Sequence, residues 1–182
     1  MSFSYLFTIL LISFVTAAFA ASSEDPTFSV KISAQDVDKI CSGVPDKNYC
    51  LGVLNSDPRA KTADFKGVAG ILVQKAYFDA STNNNKLAWL VRGEKNEQLK
   101  RRYITLSNFH GVILGRLVDA KGNLNDANNI YLQTEAALAK IYSCEDLFLY
   151  PAPAEPTDLP KRIKELENVA NMILAVVNLI PK

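Results

Sequence analysis

The stretch CSGVPDKNYC, Cys41 to Cys50, decides how this chain is read. On one continuous helix two cysteines nine positions apart would sit about 13.5 Å from each other, from the rise per residue. A disulfide needs their Cα atoms at roughly 4.4 to 6.8 Å. Either the pair is unbridged or the chain turns back between them. Gly43 and Pro45 break helix periodicity between the two, and Asp46 supplies a cap for a restart. Upstream, SAQD at Ser33–Asp36 has the hydroxyl and carboxylate of a capping box, and Val37, Ile40 and Cys41 then share one side of a short helix. Tyr49, Cys50, Val53 and Leu54 line a second. Two short helices meeting at a Gly-Pro turn bring Cys41 and Cys50 together, so the expectation is an antiparallel helical hairpin stapled by a disulfide. Closing so small a loop adds about 2.5 kcal/mol by the loop-entropy estimate.

The beginning of the chain supports oxidation. MSFSYLFTILLISFVTAAFA carries no charge, runs apolar from Tyr5 to Val15 and ends in Ala18-Phe19-Ala20. That is the pattern of a signal peptide over residues 1–20, cleaved after Ala20. A membrane anchor is the alternative, but the run is interrupted by Ser13 and Thr16 and is shorter than a span requires. Residues 21–182 then form one domain, large enough for its own core. All 20 basic and 19 acidic side chains lie in that part, a net charge of +1. This balance offers no long-range pull toward nucleic acid and no stable membrane association. With three cysteines in an oxidising route, the third, Cys144, is left as a free thiol unless it pairs with another chain.

Past Asn55-Ser56-Asp57-Pro58 the sequence carries four long amphipathic segments. The first spans about 62–91, with STNNNK at Ser81–Lys86 predicting a break or polar turn because poor helix formers cluster there. The second spans about 96–118, with Leu99, Tyr103, Leu106, His110, Ile113 and Leu117 on one stripe. Gly111 and Gly115 on the same segment suit close helix contact. GNLNDANN marks a turn in which Asn125 or Asp126 caps the third segment, about 127–150. YPAPAEPTDLP, with four prolines, cannot continue a helix. Thr157 or Asp158 then restarts the chain, and Leu159, Ile163, Leu166, Ala170, Ile173, Val177 and Ile180 recur by four and three. Four such stripes bury against each other as an all-α, up-down-up-down four-helix bundle.

Reactive chemistry finds little support. His110 is the only histidine, which argues against a metal site, and its place on the apolar stripe predicts a packed, hydrogen-bonded role. Cys144 with His110 is the sole Cys–His combination, but Cys144 also falls on an apolar stripe, where a thiol behaves as a small hydrophobe. Glu145 and Asp146 are adjacent and diverge by about 100 degrees on a helix. Glu165 and Glu167 read as solvent-facing. No phosphate loop or dinucleotide fingerprint occurs. The residues therefore describe a secreted helical domain that uses no cofactor and works by contact rather than turnover.

The chain resembles the plant invertase/pectin methylesterase inhibitor family over about Ile32 to Ile180. The resemblance rests on Cys41, Pro45, Cys50, Leu54, Asp57 and Pro58 in the opening and on TADFKGVAGILVQKA at 62–76. It continues in EAALAKIYSCEDLF, with Ala136, Ala137, Cys144, Glu145, Asp146 and Phe148, and in NVANMILAVVNLI, with Asn168, Ala170, Asn178 and Leu179. It implies a protein that docks on pectin methylesterase or acid invertase and occludes the substrate cleft, in the apoplast or cell wall, or alternatively the vacuole. A non-inhibitory extracellular binding or structural protein on the same scaffold is the alternative.

In the family, a fourth cysteine on the preceding bundle helix bridges to the position of Cys144. Here that stretch is YITLSNFHG, 103–111, where Thr105 or Leu106 stands nearby and no cysteine exists. Losing such a bridge costs roughly 2 to 5 kcal/mol. Pectin methylesterase-directed members use a side formed mainly by the second and third bundle helices. On those helices Arg101, Arg102, Asn108, Gln133 and Lys140 fall outside the apolar stripes and are the expected partner contacts. The connection Tyr150–Asp158 is a second candidate surface. The Pro-Lys-Phe tripeptide implicated in invertase-directed members does not occur here.

Overall fold

The computed structural model describes residues 31–149 and 153–181, so the expected signal peptide lies outside the described residues. The helices are α1 (Ala34–Ser42), α2 (Lys47–Ser56), α3 (Phe65–Gly93), α4 (Glu97–Gly122), α5 (Ala127–Leu149) and α6 (Leu159–Val177).

The hairpin forms as its sequence predicts. Ser33 Oγ accepts from the Asp36 amide at 3.2 Å while the Ser33 amide donates to Asp36 Oδ2 at 2.8 Å, completing the capping box. Hydrogen bonding to Ser33 lowers the Asp36 pKa in turn. The Gly43 amide closes α1 on the Ile40 carbonyl, and Asp46 opens α2 by accepting from the Tyr49 amide at 2.9 Å. Cys41 and Cys50 are bridged, with their Cα atoms 5.5 Å apart. Both lie wholly buried beside Ile40 and Leu54. The hairpin rests on α6, its turn at Gly43 passing close to Ala175.

Helices α3 to α6 pack as an antiparallel four-helix bundle, each against its neighbours in a closed ring α3–α4–α5–α6–α3. All six stripe positions of α4 from Leu99 to Leu117 are buried, as are the seven from Leu159 to Ile180 on and just beyond α6. Asn96 caps α4 through the Gln98 and Leu99 amides, and Asp126 caps α5 through the Asn129 amide.

The predicted break in the first bundle helix does not occur: α3 runs unbroken through Ser81–Lys86. Neighbouring helices hold that stretch. Asn83 is buried, Ser107 on α4 donates to Asn84 Oδ1 at 3.1 Å, and Lys86 pairs with Asp158 at the head of α6. Tertiary contacts of this kind override a weak local propensity. Asp158 is bound to Lys86 and Arg162 and caps no backbone amide itself, and these bonds draw its carboxyl down to about 2.

Candidate functional site

The α4–α5 side of the bundle gathers four of the five expected contact residues. Arg101 and Asn108, seven residues apart, stand exposed on one outward stripe of α4. Gln133 and Lys140, also seven apart, line α5 beside the seam. Arg116 Nη1 donates to Gln133 Oε1 at 3.3 Å, and the Lys140 ammonium lies 5.3 Å from the centre of the Phe109 ring. These contacts fix two otherwise long, mobile side chains in an ordered array.

Sequence reasoning missed the apolar part of this surface. Ile104 and Val112 are 43% and 42% exposed between the polar positions, and Val118 is half exposed. Their signal was present: all three fall off the heptad of α4. Gly111 and Gly115 face open space, with nothing within 4 Å of where a Cβ would stand. Among the described residues no helix makes the close approach they were expected to serve, and the α4 backbone is open there.

Arg102 does not belong to this array. It was expected outward beside Arg101, but it is buried. The connection from Pro153 onward lies over the end of α4 and covers it. Arg102 Nη1 donates to the Pro153 carbonyl at 3.2 Å and lies 3.6 Å from Glu155 Oε2, while its guanidinium stacks 5.7 Å from the Phe148 ring centre. Glu155 Oε1 accepts from Tyr103 Oη at 3.0 Å and from the Thr157 hydroxyl at 2.6 Å. The described part of the connection, from Pro153 onward, is therefore a fastened strap. Burial, then the bond to Glu155, raises the Tyr103 pKa.

Cys144 and His110, 34 positions apart in sequence, do meet on the inner side of the seam: Sγ is 3.9 Å from Nδ1, and both residues are fully buried. His110 Nδ1 donates to the Leu106 carbonyl at 3.0 Å. Burial lowers the imidazole pKa, and it pushes the Cys144 thiol up to about 12 with help from the nearby Glu145 charge. A nucleophilic cysteine needs the reverse, a lowered thiol beside a protonated imidazole. The pair is thus a neutral polar contact in the core, and Cys144 is the free thiol expected of it.

Glu167 is likewise not solvent-facing but buried, turned toward α5 with Lys164 beside it. A cleft of about 510 Å³ lies between the hairpin and the bundle, lined by Tyr49, Val53, Ile71, Lys75 and Glu165. Among the described residues no three His, Cys, Asp or Glu side chains converge as metal ligands, and no helix is long and apolar enough to cross a membrane.

Comparison with known proteins places this architecture. A pectinesterase inhibitor from Actinidia deliciosa is 30% identical over 183 residues, covering 100% of this chain and 98% of that one. Cell wall / vacuolar inhibitor of fructosidase 2 from Arabidopsis thaliana is 24% identical, covering 94% and 96%. The crystal structure of a mutant form of an Arabidopsis pectin methylesterase inhibitor superposes with a TM-score of 0.75 at 19% identity, over 81% of this chain and 98% of that one. The profile described as plant invertase/pectin methylesterase inhibitor matches residues 35–176, from the first turn of the stapled hairpin to the last of α6. With hairpin, bundle and sequence in agreement along that length, the chain belongs to the plant invertase/pectin methylesterase inhibitor family.

Proposed function

We propose that this chain is a secreted inhibitor that lays the α4–α5 side of its bundle against a plant cell-wall carbohydrate-active enzyme and blocks access to the substrate cleft. The observation that carries the reading is the end-to-end match to a pectinesterase inhibitor, 98% of which is covered. Pectin methylesterase is therefore the first target, and the absence of Pro-Lys-Phe favours it over acid invertase. The nearly full-length match to a fructosidase inhibitor supports acid invertase as the second. Residues 1–20 serve as the export signal, and the apoplast is the destination, with the vacuole as the alternative.

Inhibition on this surface is steric and needs no covalent step. Arg101, Arg116 and Lys140 supply positive charge around exposed Ile104 and Val112, a polar rim about an apolar centre. The open backbone at Gly111 and Gly115 lets a partner approach closely. The fastened strap at Pro153–Asp158 flanks the same end of the bundle.

Titrating the purified protein against one pectin methylesterase and one acid invertase at mildly acidic pH tests the reading. The expected result is saturable, near-equimolar loss of the esterase activity; no effect on either enzyme overturns it in favour of a non-inhibitory binding protein. Arg101→Glu combined with Lys140→Glu should weaken inhibition about tenfold or more, chiefly through slower association. Unchanged inhibition by that folded variant would remove the α4–α5 side from the interface.

A further inference from the structure

We propose that Glu145 on α5 and Lys164 and Glu167 on α6 form a proton-dependent clasp across the α5–α6 seam, so that the fold is tightened in mildly acidic surroundings and loosened as pH rises. The clasp is independent of what the bundle binds.

The geometry sets two carboxylates against one ammonium in a poorly hydrated place. The Glu167 side chain is only 5% exposed and that of Glu145 29%. Lys164 Nζ lies 3.8 Å from Glu145 Oε1 and touches Glu167 Oε2. The two carboxyl groups therefore share a single ammonium. Two carboxylates gathered this closely, one of them almost wholly out of water, favour keeping a proton on one. With that proton in place the cluster is neutral: one acid, one carboxylate, one ammonium. Without it the cluster carries a net negative charge, and two like charges face each other where solvent screens them poorly.

Burial is the largest influence on Glu145, followed by the bond to Glu167 and the charge of Glu167; together they push it up to about 7, while Lys164 pulls the other way. Asp146, also on α5, adds to the rise. Tyr142 on α5 faces Lys164. From α4, the group nearest this layer is His110, which lies against Cys144 next to Glu145. On α6, Glu165 is engaged elsewhere, 3.8 Å from Lys161 Nζ and lining the cleft beside Tyr49 and Lys75. Asn171 donates to the Glu167 backbone carbonyl at 3.1 Å and leaves its carboxylate to the clasp.

A carboxyl whose pKa is raised on folding holds a proton that the unfolded chain gives up. Its contribution is complete below the ordinary value of 4.5 and is lost as pH climbs through about 7. His110 runs in the opposite sense. Its pKa is lowered from 6.5, so burying it neutral costs stability as pH falls below that value. The two neighbouring layers therefore oppose each other, and only a difference between variants isolates the clasp.

That difference is the melting temperature of Glu145→Gln minus that of the wild-type protein, followed with pH. Glutamine is always neutral, has nearly the same shape and can still donate to Glu167. The difference should lie near zero at about pH 5 and rise to about 5 °C by about pH 8. A difference that stays flat across the range overturns the clasp. Carbon-detected NMR titration of the wild-type carboxyl groups gives a second reading that survives even if the variant fails to fold. Glu145 should titrate near neutral pH, and a midpoint in the ordinary carboxylate range overturns the proposal on its own.

Discussion

The hairpin and the strapped end of the bundle are both places where chain segments meet at a fold edge, yet they are fastened by different means. In the hairpin, α1 and α2 have 9 and 10 residues and offer only Ile40, Cys41, Cys50 and Leu54 as buried side chains. Elements that small cannot exclude enough water to hold together by packing, and a covalent link replaces the missing core. At the other place, α4 and α5 have 26 and 23 residues, and the connection is held by hydrogen bonds and an ion pair among Arg102, Glu155, Tyr103 and Thr157, with no covalent cross-link. The contrast accounts for a bundle that holds Cys144 as a free thiol without the second bridge the family resemblance implies: long helices with continuous buried stripes supply what the hairpin lacks.

The largest effect should come from breaking the strap. Arg102→Ala leaves Glu155 buried without its cation and should destabilise by roughly 3 to 5 kcal/mol, read from the denaturation midpoint. Cys41→Ser with Cys50→Ser should cost less, about 2.5 kcal/mol. Hydrogen exchange should show that loss concentrated in α1 and α2, with the bundle still protected. If the double serine variant proved the more damaging of the two, the bundle would depend on the hairpin and the contrast would collapse. The smallest effect belongs to Cys144. Held up to about 12 and wholly buried, it should resist alkylation in the native protein and react with one equivalent of reagent after denaturation.

What could be read in advance was local. The capping box at Ser33, the turn at Gly43–Pro45 and the α4 stripe each depend on residues within a few positions, and each appears as written in the sequence. What could not be read was decided by distant chain. Arg102 looked like an outward partner contact because its own partners Pro153 and Glu155 lie about fifty positions away, in a segment whose path no periodicity describes. Glu167 looked solvated because only the α5–α6 packing sets Glu145 opposite it. The asparagines of 83–85 looked like a turn because their support comes from α4 and α6. On the candidate surface, the polar members were found because they lie off the apolar stripes, whereas Ile104 and Val112, equally off the α4 stripe, were passed over because they are apolar.

The isolation of Cys144 bears on how the protein matures. Three thiols allow three intramolecular pairings, and two of those would tie the hairpin to the last turns of α5; the folded chain holds the third, Cys41–Cys50, with Cys144 buried apart from it. Once α4 and α5 close over Cys144, oxidation is left with a single choice.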